Sequence, residues 1–153
     1  MPPMTDRSPQ QTADQVRDSM WADDHACKAL GMVVDAVAPG SATVSMTVRA
    51  DMLNGHAICH GGLIATLADS AFAYGCNSYN ELTVASGFAI DLLAPGRLGD
   101  VLSASCVEVS KAGRTGVYDV TVHNQRGERI AVFRGRSYTA RGKPVIQADV
   151  KAA

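Results

Sequence analysis

Charge of one sign, metal-binding cysteine pairs, secretory signals and long apolar runs are all missing from this 153-residue chain. Fourteen Lys and Arg stand against fifteen Asp and Glu, a formal charge of −1, so no overall field recruits a polyanion and nucleic acid is not an expected partner. The four cysteines, Cys27, Cys59, Cys76 and Cys106, form no C-x-x-C pair with which a zinc or redox site begins. They read as small buried hydrophobes in a reducing compartment. The first twenty residues carry Asp6, Arg7, Asp14, Arg17 and Asp18 without an apolar core, which excludes a signal peptide and makes the cytoplasm the expected location. The apolar stretch after Gly61 holds Asp69, Asn77 and several glycines and serines, and fails as a membrane span.

What is present suits one domain, because a chain of this length buries roughly 70% of its unfolded surface. Hydrophobic residues make up 46% and charged residues 19%, apolar enough to suggest that a partner chain covers part of the surface. Residues 1–11, with three prolines, are expected to be a mobile leader, residues 12–140 the single domain, and residues 141–153 a loose tail. Helix is predicted from Thr12, where Thr12-x-x-Gln15 has the form of a capping box. A second short helix, capped by Asp23 or Asp24, should run to Leu30 and stop at Gly31.

The period then changes to two. Met32 to Val37, the turn Pro39-Gly40 and Ser41 to Arg49 predict a hairpin with one wet face. Gly61 to Asn77 predicts one helix about 25 Å long, apolar almost all round and therefore enclosed by the core. Four strand-like stretches follow, at 82–93, 101–109, 115–123 and 130–139, joined by turns too short for parallel crossovers. The predicted class is α+β, one curved antiparallel sheet wrapped around a central helix.

Asp69 is the only fully charged residue between Gly61 and Asn80. An unpaired carboxylate in apolar surroundings costs several kcal/mol, so such a residue must reach a polar gap, pair with an arginine such as Arg134, or be used. Ala65, Asp69, Phe72, Ala73 and Cys76 share a stripe that can face a cavity or another subunit; Ala65 leaves room for a ligand and Phe72 gives it an apolar wall. At the other end of the helix, His60-Gly61-Gly62 presents first-turn amides that have no intrahelical acceptor. They form a donor site for developing negative charge, although Gly-Gly is also an ordinary turn. Asn54 and His60 flank it and are candidates for orienting a carbonyl or a water. A metal site on His56, Cys59 and His60 is disfavoured, because the glycines argue for a loop and no distant third ligand stands out. Gly61 and Asp69 lie about 12 Å apart along a helix, so acting on one carbonyl requires them to come from two chains.

Taken together, Asn54-Gly55-His56, His60-Gly61-Gly62, Leu67-Ala68-Asp69, Ala71-Phe72-Ala73 and Cys76-Asn77-Ser78 resemble the hotdog-fold acyl-CoA thioesterases, in particular the phenylacetate-degradation (PaaI) subfamily. The likeness continues through Ile90-Asp91-Leu92-Leu93-Ala94-Pro95-Gly96, Gly116 to Val120 and Val132 to Gly135. It implies a dimer, commonly paired again into a homotetramer, that hydrolyses aryl- or hydroxyaryl-acyl-CoA with neither metal nor cofactor. By position, Asp69 resembles the catalytic carboxylate, Gly61 the carbonyl-polarising amide, and Asn54 and His60 the supporting polar residues. Gly62, Ala65 and Phe72 are the expected acyl contacts, with Ala65 standing where the family often has a larger residue. Lys111 and Arg114, or Arg134 and Arg136, are the expected contacts for the CoA phosphates. Two other functions fit the same pocket: a noncatalytic acyl-CoA-sensing module, and a hydratase or dehydratase that leaves the thioester intact.

Overall fold

The computed structural model describes residues 6–147. Helix α1 spans Pro9–Ala22 and α2 spans His25–Ala29; strands β1 (Val33–Ala38) and β2 (Ser41–Thr47) form the first hairpin. After a 3-10 turn at Ala50–Met52, helix α3 occupies Gly61–Cys76, and β3 (Thr83–Leu92), β4 (Val101–Ala112), β5 (Thr115–His123) and β6 (Arg129–Thr139) complete the chain. The strands make one six-stranded sheet in the order β1-β2-β4-β5-β6-β3, and each adjacent pair is antiparallel. The α+β reading therefore holds: α3 packs against all six strands of a curved sheet, the hotdog arrangement. β3 does not pair with its sequence neighbour β4. It crosses to the far edge and joins β6.

The core follows the alternation in the sequence. Ala42, Val44, Met46 and Val48 point inward from the first hairpin, and Leu102, Ala104, Cys106, Tyr118, Val120 and Val122 from the next two strands, each at most 4% exposed. They meet Ile64, Leu67, Ala68 and Ala71 of α3, also at most 3% exposed. Burying a side chain of the Leu67 class contributes roughly 1.5–3 kcal/mol, so this helix–sheet seam is what fixes the frame.

Three local features differ from expectation. α1 begins at Pro9, not Thr12, because Ser8 and Gln11 form the capping box: Gln11 N–H donates to Ser8 Oγ (3.1 Å) and Ser8 N–H donates to Gln11 Oε1 (2.9 Å). Pro9 then takes the first helical position, where its missing N–H costs nothing. Residues 9–11 thus belong to α1 and not to a leader; residues 1–5 of that expected leader lie outside the described residues. β4 runs on to Ala112 through a bulge between Glu108 and Ser110, so the turn into β5 is tighter than the sequence suggests. Residues 141–147 are not a loose tail either. Leu82 N–H donates to Lys143 O and Ala140 N–H to Leu82 O, both at 2.8 Å, and Ile146 N–H donates to Asn80 Oδ1 at 2.8 Å. Residues 148–153 of that tail are outside the described residues.

α2 behaves as expected, with Asp24 accepting from Cys27 N–H at its start and Gly31, at φ +68°, beyond its end. Among the described residues no helix is long and apolar enough to cross a membrane.

Candidate active site

At the N-terminus of α3, His60 is the cap residue, with extended ψ (130°) and no side-chain cap bond. Leu63 and Ile64 N–H donate back to His60 O, while the N–H groups of Gly61 and Gly62 have no acceptor among the described residues. These are the free first-turn donors that the sequence leads one to expect. Gly61 opens into a cavity of about 400 Å³ that it shares with Asn54, Ile58, Cys59, Ile64 and the end of β3, Leu92 to Pro95. A Cβ on Gly61 would stand 2.7 Å from Leu92 Cδ1, so only glycine lets the amide lie this close to the strand. Asn54 holds the loop below: its Oδ1 accepts from His56 N–H (2.9 Å) and Ile58 N–H (3.4 Å), which leaves its amide NH₂ free at the cavity wall.

Asp69 sits in a second cavity, of about 340 Å³, near the C-terminal half of α3. Its carboxylate is half-buried, has neither a hydrogen bond nor an ion pair among the described residues, and burial pushes its pKa above the ordinary carboxylate value. Arg134 does not reach it; that guanidinium is held bidentately by Asp119 at 2.7 and 2.9 Å on the opposite face of the sheet. Phe72, Ala73 and Cys76 form the floor of the cavity, and Leu82 to Ala85, the start of β3, form one wall. Asn77 fixes that wall. Its side chain donates to Thr83 O (3.0 Å) and accepts from Thr83 N–H (2.9 Å), pinning the beginning of β3 to the end of the helix that carries Asp69.

Asp69 and Gly61 of one protomer thus face different cavities, at opposite ends of β3. Other expected residues are placed elsewhere. His60 is exposed in a separate cleft with Asp51, Leu53 and Gly62, since extended backbone at the cap turns its side chain away from the Gly61 cavity. Gly62 opens to that same cleft. Ala65 lies nearer the N-terminus of α3 than the Asp69 cavity extends, so the wall begins at Asp69 and includes Phe72, Ala73 and Cys76 but not Ala65. Phe72 is 1% exposed and tilts against Tyr118 and Phe133, with ring centroids 5.5 and 5.8 Å away. Lys111 lies 4.0 Å from the Tyr79 ring centre and 3.7 Å from Glu81; Arg114 donates to the Tyr138 hydroxyl at 3.2 Å. Neither of these cations lines a cavity with Gly61 or Asp69. Sequence reasoning missed Met20 and Val145, which line the Asp69 cavity from the two ends of the chain. Among the described residues no three His, Cys, Asp or Glu side chains come together as a metal site.

Known proteins resemble this chain in both sequence and fold. Residues 56–131 match the model of the Thioesterase superfamily. The chain is 46% identical over 124 residues to the acyl-coenzyme A thioesterase PaaI of Escherichia coli (strain K12), covering 81% of this chain and 89% of that protein. The structure of the E. coli PaaI protein superposes with a TM-score of 0.87 at 44% identity, covering 89% of this chain and 99% of that one. A Streptococcus mutans protein solved with bound acetyl-CoA gives a TM-score of 0.69 at 28% identity, over 71% of this chain and 88% of its own. The chain belongs to the thioesterase superfamily, as a hotdog-fold acyl-CoA thioesterase of the PaaI type.

Proposed function

We propose that the enzyme hydrolyses aryl-acyl-CoA esters of the phenylacetyl and hydroxyphenylacetyl type, in a site shared between two copies of the chain. The carrying observation is the separation of Asp69 and Gly61 to the two ends of β3. β3 is an edge strand, and Val84, Phe88 and Leu92 along it are 56%, 44% and 53% exposed. A bare apolar edge invites a second strand. Antiparallel pairing of two β3 strands about a two-fold axis sets the Leu82–Ala85 end of one chain beside the Leu92–Pro95 end of the other. The carboxylate of one protomer then faces the free amide of its partner, and two equivalent sites form. Two such dimers make the homotetramer proposed for solution.

The chemistry needs little more. The Gly61 N–H donates to the thioester carbonyl oxygen as it becomes an oxyanion, and Asn54 NH₂ stands beside it as a second donor. Asp69 takes a proton from water, whose oxygen attacks the carbonyl carbon; the C–S bond breaks and CoA leaves as a thiolate that is then protonated. In the covalent variant the carboxylate itself attacks, and water cleaves the resulting anhydride. Because burial raises the Asp69 pKa, the carboxylate is a stronger base than an exposed one would be. Phe72 gives the acyl group an aromatic surface. Lys111 and Arg114, exposed at the β4–β5 turn, are the proposed contacts for the CoA phosphates, exchanging Glu81 and Tyr138 for the ligand. His60 supports the site through its backbone as the helix cap. All four cysteines are buried and free, which suits a reducing compartment such as the cytoplasm.

The test is thiol release from a panel of aryl- and alkyl-CoA esters, with product masses determined. Wild type should give free acid and CoA, and Asp69→Asn should lose at least about 10³-fold in kcat/KM. Unaltered release by the variant removes Asp69 from the reaction. With an enoyl-CoA added to the panel, a product heavier by one water across its double bond and with its thioester intact identifies a hydratase instead.

A further inference from the structure

We propose that Met20 of α1 and Val145 of the C-terminal strap form the wall that sets which acyl groups fit beside Asp69, and that Asn80 positions that strap. The inference rests on the Asp69 cavity being the acyl site. Three of the other lining residues are held by their neighbours. Phe72 is wedged between Tyr118 and Phe133, and Gly135 gives it room, since a Cβ there would stand 2.8 Å from its ring. Cys76 is 3% exposed in the core, and Thr83 is bound on both sides, to Asn77 and to Thr139 Oγ1 at 3.0 Å.

Met20 and Val145 are different in kind. Both are half-buried, both line the cavity, and both come from segments outside the helix–sheet frame. Met20 is unbranched and polarisable, a side chain that reshapes around whatever it meets. Val145 is delivered by the chain beyond β6. That chain turns at Ala140–Lys143, with Gly142 at φ +75°, and runs back along residues 80–82. Asn80, itself at φ +63°, accepts the Ile146 N–H at 2.8 Å and so fixes the residue next to Val145. The polar groups of the cavity other than Asp69 are committed: Asn77 donates to Ala73 O and Thr83 O and accepts from Thr83 N–H, and Thr83 Oγ1 donates to Glu81 O. An acyl group entering here meets apolar walls, and selection among acyl groups acts through size.

The experiment compares kcat/KM on acetyl-, butyryl-, phenylacetyl- and octanoyl-CoA for wild type, Met20→Ala, Val145→Ala, Asn80→Ala and Met20→Trp. Shortening either wall residue should raise the octanoyl-to-phenylacetyl ratio about tenfold while acetyl-CoA changes by less than about twofold. Asn80→Ala should shift the ratio in the same direction as Val145→Ala. Met20→Trp should do the opposite, depressing the two larger esters and sparing acetyl-CoA. Because filling and emptying predict opposite signs, one well-folded variant of each kind suffices. A uniform change across all esters, or no change, in variants of an active enzyme overturns the wall. A wild-type protein that cleaves no ester overturns the acyl site itself, and the two failures are told apart by the wild-type control.

Discussion

The two edges of the sheet are finished in opposite ways. At β1, helix α1 lies along the strand, Ala13 and Val16 are each 1% exposed, and Gln10 Nε2 donates to Val37 O at 2.8 Å. At β3, among the described residues, no further strand pairs with the outer edge, and Val84, Phe88, Leu92 and Leu93 are all more than two-fifths exposed. An edge that the chain caps itself is about stability. An edge left apolar and bare is the one through which the proposed dimer pairs, and its two ends carry the two halves of the candidate site.

The largest expected effect comes from spoiling the bare edge. Val84→Lys together with Leu93→Lys places charge on side chains that are 56% and 55% exposed, so the protomer should still fold. Both halves of the site should part, with a loss of roughly 10³-fold or more in thiol release and monomers by light scattering. Unchanged mass with unchanged activity would break the contrast between the edges. Val16→Ala, at the capped edge, should act the other way, costing about 1–2 kcal/mol of stability while thiol release per folded molecule is kept; denaturant titration and the ester assay read the two separately. The smallest effect sharpens the description of Asp69. Its pKa is raised in the fold, so its contribution to stability is full below the unfolded value and is lost as pH rises through the folded one. Asp69→Asn should therefore melt higher than wild type at pH 7, by no more than about 4 °C, and the gain should shrink as pH falls into the ordinary carboxylate range. A wild type that is the more stable of the two at pH 7 would mean that the carboxylate has a partner.

Most of the frame could be read from residue patterns because the patterns are local. Alternation marks β2 and β5, breakers mark the turns, and the apolar run after Gly61 is one helix from Gly61 to Cys76. The start of α1 was not legible, since Ser8–Gln11 and Thr12–Gln15 offer two capping boxes and only Pro9 at the first helical position favours the earlier one. The place of β3 was not legible either: its turns suit a simple meander, whereas pairing with β6 depends on partners far along the chain. In the site, Asp69 and Gly61 stand out because a charge and a glycine pair are conspicuous in an apolar helix. Met20 and Val145 carry no such signal, being ordinary apolar residues that meet only after the two ends of the chain converge on α3. His60 looked functional by its position beside the glycines, but cap geometry rather than sequence decides where its ring goes.

The most direct measurement mixes two disabled chains. Asp69→Asn and Gly61→Ala, each close to inactive alone, are unfolded together, refolded at equal concentration and assayed for thiol release. Random pairing gives half mixed dimers with one intact site of two, so the shared site predicts recovery of about a quarter of wild-type activity. Refolded dimers that stay as inactive as the separate variants would contradict a site built from two chains.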